Sequence, residues 1–261
     1  MKLLCATTVL AIGLATPGFA DVTVKQTTTG KGLGLSGSTP GTTFIKGNKM
    51  RTDVVMGDKT QTSVYDLDAQ KMYVFDSKKK EADVWDMGAF ADEISKSVDV
   101  SSTKASLKPN GQSKTMGGKS AAGYDLEVSM QAAFGGSKDM SMTVTLAGPV
   151  WIVKEPAAAD YAKFYKAAVE KGWIFSDPRA AKAQPGQAKA MAEMYDQMAK
   201  IGGIPYETDV QIKMSGSGPM AGLLARMGNI NMTTTVESVT AAPLADDLFA
   251  PPAGYKLNPK K

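Results

Sequence analysis

The stretch TFIKGNKMRTDVVMGDKTQTSVYDLDAQKMYVFDSKKKEADVW, residues 43–85, reads as a chain of short strands. Its β-patterned runs are Thr43–Lys46, Lys49–Val55, Thr60–Asp66, Lys71–Phe75 and Glu81–Trp85. Between them lie Gly47-Asn48, Asp66-Leu67-Asp68-Ala69-Gln70 and Asp76-Ser77-Lys78-Lys79-Lys80, whose composition and length suit hairpin turns. Parallel neighbours need crossovers of about a dozen residues or more, and there is no room for them here. The segment is therefore an antiparallel meander. Val22–Thr28 precedes it as another strand, and a short helix is expected over Phe90–Val98.

Farther on, period-2 alternation returns. Tyr124, Leu126, Val128 and Met130 share one face, opposite Asp125, Glu127 and Ser129. Met140, Met142, Val144 and Leu146 alternate with Ser141, Thr143 and Thr145. Between Pro156 and Gly203 the period becomes helical. Tyr161, Phe164, Tyr165 and Ala168 form one stripe stopped by Gly172. Met191, Met194, Tyr195, Met198 and Ile201 form a second, after a loop over Ser176–Gly186. Strands follow again at Tyr206–Met214 and Asn229–Val239. Strands, a helical excursion and strands again give a single α+β domain over residues 21–261, in which the helices need a sheet face to cover.

Residues 1–20, MKLLCATTVLAIGLATPGFA, have the three parts of a secretory signal peptide: Lys2, an apolar run from Leu3 to Ala15, and a small-residue cut site at Gly18-Phe19-Ala20. Asp21 follows the cut, so the cysteine a lipoprotein requires there is missing. The expected location is periplasmic, with release to the medium as the alternative. No later run approaches the ~20 apolar residues of a transmembrane helix. The net charge of +4 is too small to indicate nucleic acid. The chain has no histidine, which excludes Ser-His-Asp and Cys-His catalysis and histidine-ligated metals. Its single cysteine, Cys5, lies in the leader, so mature stability has to come from the core and not from disulfides.

Several motifs have bland readings that outweigh the sharp ones. Gly32-Leu33-Gly34-Leu35-Ser36-Gly37 matches G-x-G-x-x-G, but Ser38-Thr39-Pro40-Gly41 follows where a dinucleotide fold needs a helix. A flexible loop over Gly30–Gly41 is expected. Ser77-x-x-Lys80 and Ser101-x-x-Lys104 match a Ser-Lys spacing without its companion motifs. Asp66, Asp68 and Asp76 fit Asx-turns at hairpin ends better than a calcium loop. Lys78-Lys79-Lys80 is a solvated tip, with attraction to anionic lipid as a second reading. The 16 methionines are unusual, and three readings stand: core filling, a deformable apolar pocket, or Cu(I) ligation by thioethers.

Taken in order, several segments resemble an exported bacterial family, domain of unknown function family 4412. They are Phe44-Ile45-Lys46-Gly47-Asn48-Lys49-Met50-Arg51-Thr52-Asp53, Val64-Tyr65-Asp66-Leu67-Asp68 and Lys71-Met72-Tyr73. They continue with Ala121-Ala122-Gly123-Tyr124-Asp125, Val150-Trp151-Ile152-Val153-Lys154-Glu155-Pro156, Gly203-Ile204-Pro205 and the ending Leu248-Phe249-Ala250-Pro251-Pro252-Ala253-Gly254-Tyr255-Lys256. The resemblance implies a curved antiparallel sheet, an open half-barrel with helices packed over its concave face. That fold is similar to the periplasmic lipoprotein carriers and their receptors, LolA and LolB. It transfers no catalytic residue and no cofactor, and function follows from it only by analogy of fold.

The expected function is binding or carriage of a hydrophobic ligand, a lipid or lipidated molecule, between sheet and helices. Met140, Met142, Val144 and Leu146 would form the wall, with Trp151 near its edge. Phe164, Tyr165, Met191, Met194 and Met198 would form the lid. The alternative is an envelope interaction or sensor module with a closed core, and an enzyme is disfavoured. The intact mass of the exported protein should correspond to a chain that begins at Asp21; a mass that retains residues 1–20 would overturn the leader.

Overall fold

The computed structural model describes residues 21–32, 35–97, 99–134, 137–173, 178–183, 185–217 and 219–260. The expected leader, Leu33-Gly34 of the glycine motif and Val98 lie outside the described residues.

Local chemistry sets the hairpins. Strands β1 (Val22–Gly32), β2 (Leu35–Lys46), β3 (Lys49–Met56), β4 (Lys59–Asp66), β5 (Lys71–Asp76) and β6 (Glu81–Asp86) form the expected meander. Lys46 pairs with Lys49, so Gly47-Asn48 is a two-residue turn. The next two turns in the meander that begin with aspartate repeat one device. Asp66 Oδ1 accepts from the amides of Asp68 and Ala69, and Asp76 Oδ1 from those of Lys78 and Lys79. Each such turn ends in a residue at φ 53°, Gln70 and Lys80. Ten residues on, Asp86 Oδ1 takes the amide of Ala89 and starts helix α1 (Met87–Ser97).

The remaining elements are β7 (Asp99–Met116), β8 (Lys119–Phe134), β9 (Ser137–Val153), α2 (Pro156–Glu170), α3 (Pro178–Ala183), α4 (Pro185–Ile201), β10 (Ile204–Gly216), α5 (Pro219–Met227), β11 (Ile230–Ala241) and β12 (Lys256–Lys260). All strands belong to one twelve-stranded sheet, ordered β12-β6-β5-β4-β3-β2-β1-β11-β10-β9-β8-β7 and not closed into a barrel. The fold is thus mostly-sheet α+β. It departs from the purely antiparallel expectation at one edge, where β12 joins β6 in parallel. A C-terminal strand delivered by a long connection can add in either direction, and here Lys260 reaches Asp83 at 3.1 Å.

The described elements depart from expectation at four further places. Of the loop expected over Gly30–Gly41, the described residues 30–32 and 35–41 are strand, because β1 and β2 pair continuously from Val22↔Ile45 to Gly32↔Leu35. Strand β7 carries few apolar residues, so alternation could not reveal it. As an edge strand its lysines and Pro109 blunt further pairing. The expected loop Ser176–Gly186 contains α3, with residues 174–177 and 184 outside the described ones. Helix α5 was also unforeseen.

Helix α2 has a well-defined stop. Gly172, at φ 71°, donates its amide to Val169 O, and Trp173 donates to Ala168 O. Trp173 then folds under the helix, 1% exposed, with its ring 6.4 Å from that of Tyr65.

Between β9 and β10 the backbones approach closely at Gly148, where φ is 155° and an added Cβ would stand 1.9 Å from Asp209 O. Gly148→Ala should therefore lower stability by about 3 kcal/mol through overpacking. Urea unfolding measures this, and a loss as small as that of a surface substitution would contradict it.

Candidate functional site

Helices α2 and α4 pack on each other and on one side of the sheet. Helix α2 crosses β1, β2, β10 and β11, and α4 crosses β7, β8 and β9. Apolar side chains gather there in two clusters. One contains Val22, Ile45, Met50, Tyr65, Phe164 and Trp173. The other contains Leu126, Val128, Val144, Leu146, Met194 and Ile212. Tyr195 touches both.

Between the clusters the helix-facing side of the sheet turns polar. Threonine triplets at 27–29 and 233–235 pair across β1 and β11, and Thr28 Oγ1 lies 3.0 Å from Thr234 Oγ1. Thr208 of β10 pairs with Thr234, and Thr43 of β2 with Thr52 of β3. Thr28 and Thr234 satisfy each other, and the apolar residues of the helices do not fill the space above them.

A groove results. Beneath α2 and α4 is a cavity of about 160 Å³, roofed by Tyr161, Tyr165, Met191, Met194, Tyr195 and Met198 and floored by Thr28, Thr208, Val210, Met232 and Thr234. Adjoining it over β2–β4 is a space of about 390 Å³ that shares Tyr165 and Tyr195 and adds Thr43, Met50, Thr52 and Ser63. A third space of about 510 Å³ extends along β1–β3 past Thr39, Gly41, Val54 and Met56. Gln26 lines all three. The two larger spaces fall within the ~300–1,000 Å³ of small-molecule pockets, whereas the smallest holds only about five waters.

Aromatic stacking holds the roof. The rings of Tyr165 and Tyr195 lie 5.4 Å apart at 14°, and Tyr161 lies 4.6 Å from Tyr165. Desolvation pushes the hydroxyls of Tyr161, Tyr165 and Tyr195 above the ordinary tyrosine range. At the N-terminus of α2, Glu155 pairs with Lys119 and accepts from the Tyr206 hydroxyl at 2.8 Å.

The structure separates the residues expected from sequence. Tyr165, Met191, Met194 and Met198 come together in the roof. Val144 and Leu146 lie beneath α4 at 2% and 0% exposure, packed in the second cluster away from the groove lining, with half-buried Met142 at its margin. Phe164 is sealed in the first cluster. Trp151 alternates with Val150 and Ile152 along β9, packs against the first cluster and lies under the Lys114 ammonium at 4.3 Å. It is an odd step from Val144 and Leu146 along the strand. Met140 lies in β9, and its side chain is outside the described residues. The residues that sequence reasoning missed are Gln26, Thr28, Thr208, Met232 and Thr234. The readable signal was threonine where alternation calls for an aliphatic side chain.

Among the described residues no group of three or more Cys, Asp or Glu is placed to hold a metal ion, and no helix is long and apolar enough to cross a membrane. No family model matches the chain, and no curated protein matches it. Among solved structures it is similar to one described as PNGF-II, at 9% identity and a TM-score of 0.35. The match covers 92% of this chain and 31% of that one, so the chain spans under a third of its length. A likeness at that score carries no argument about fold or function.

The roof tyrosines tie stability to alkaline pH. In the unfolded chain a tyrosine ionises near pH 10, while these three resist ionisation when folded. Their contribution is complete below about pH 10 and is lost as pH rises through their folded values. Urea unfolding from pH 8 to 11 should show falling stability above 10, with a shallower fall in Tyr195→Phe. An unchanged slope would assign the effect to other groups.

Proposed function

We propose that this is an exported, periplasmic protein that binds or carries a hydrophobic ligand, a lipid or lipidated molecule, in the groove between sheet and helices. In this reading the open sheet works as a half-barrel whose concave side the helices cover, as the resemblance to family 4412 implies. The observation that carries the proposal is the groove roof, where three methionines and three tyrosines overhang space that two apolar clusters leave unfilled. Methionine adapts its shape to whatever it covers, which suits a ligand of variable chain. Each buried methylene contributes about 0.8 kcal/mol, so ten supply about 8 kcal/mol. That exceeds the lower end, about 4 kcal/mol, of the cost of association.

Met191 is the cleanest probe, because it is half-buried at the groove, whereas Met194 is 5% exposed and a lysine there would also disturb the core. Protein purified from its own periplasm without detergent should show, by native mass spectrometry, an adduct of lipid mass that vanishes on denaturation. Met191→Lys should lose most of that adduct with its urea midpoint nearly unchanged. A bare mass for the wild-type protein in both conditions would favour a closed interaction module instead.

A further inference from the structure

We infer that the groove selects an amphiphile with an uncharged polar head over an anionic one of the same chain length. The inference rests on the ligand-binding reading and adds the chemical class of the ligand. Among the described residues, none of those lining the groove is a lysine or arginine. Asp53 is the single charged residue in the lining, and its carboxylate is already engaged. It accepts from Arg51 Nε at 3.0 and 3.2 Å and from Thr62 Oγ1 at 2.6 Å. It alternates along β3 with Thr52 and Val54, so the side chains of those two, and not the carboxylate, take the helix side.

The groove is therefore lined by hydroxyls and by two amides, those of Gln26 and Gln61. Gln26 stands where the three spaces meet, with Thr28 and Thr208 beneath the helices and Thr52 and Ser63 over β3 and β4. Such groups both donate and accept hydrogen bonds, which matches a glyceryl, glycosyl, ester or amide head. A carboxylate or phosphate would give up hydration here without a cation to replace it. The tail lies along the methionine and tyrosine roof of α2 and α4, and the head meets the hydroxyls and amides of the sheet beside Gln26.

The test compares dodecanoate with monododecanoylglycerol, both below micellar concentration, by calorimetric titration of the mature exported chain at pH 8. The glyceryl ester should bind at least about tenfold more tightly, because only the carboxylate carries a buried charge. Lowering the pH until dodecanoate is protonated should bring the two affinities together. Gln26→Lys should tighten dodecanoate at pH 8, and Thr28→Lys serves if the first variant does not fold. Equal or tighter binding of dodecanoate by the wild-type protein overturns the inference while leaving a hydrophobic site in place. Binding of neither amphiphile by folded protein overturns the ligand-binding reading itself.

Discussion

Thr28 and Thr234 face each other in the middle of the sheet, with Thr208 beside them on the next strand. Much of the arrangement on that side follows from this polar strip. Two apolar clusters border it: one runs from Trp85 and Met50 under α2 through Val22 and Val236 to Ile204 and Val153, the other lies beneath α4 on β8–β10. Neither fills the space over Thr28, Thr208 and Thr234, where hydroxyls take the place of apolar side chains. The helices therefore bridge the strip as a roof and leave space below. A sheet with aliphatic residues at those positions would have allowed one continuous core.

Short, specific contacts hold the roof at its ends. The Trp173 turn closes α2 at its C-terminus, and Lys171 Nζ donates to Leu67 O at 2.8 Å across to the meander. Glu155, Lys119 and Tyr206 fasten its N-terminus to β8 and β10. The two helices meet through the Tyr165–Tyr195 stack, so the residues that join them also face the groove. Packing of the helix pair and the chemistry of the cavity thus depend on the same side chains. A ligand that displaced a helix would have to break ring contacts worth roughly 0.5–1.5 kcal/mol a pair beyond area burial.

The tail is also fastened to Asp21, just ahead of β1. Asp21 accepts from the Leu244 amide at 2.6 Å, and Lys46 donates to Leu244 O at 2.6 Å and pairs with Asp246 at 2.8 Å. Arg51 reaches Leu248 O at 3.3 Å. From there the chain can lay β12 along β6, which makes the far edge of the sheet a product of tertiary contacts and not of hairpin chemistry.

Residues that act through near neighbours were legible in the sequence. The Asp66 and Asp76 turns, the Gly47-Asn48 turn and the Gly172 stop work within a few residues, and their positions followed from residue type alone. Alternation identified Tyr124, Leu126, Val128 and Met130 as a buried face for the same reason. Strand β7 escaped, since an edge strand with polar side chains gains its structure from β8. Strand β12 escaped because its partner lies far back in the chain at β6. The groove was half visible. Methionine and tyrosine at helical spacing marked its roof, but the floor required knowing that β1 and β11, at opposite ends of the chain, lie side by side. Local periodicity determined which side chains share a face of each element. Only tertiary pairing decided which faces meet, because strand neighbours are chosen by long-range burial and hydrogen bonding that no short stretch of residues contains.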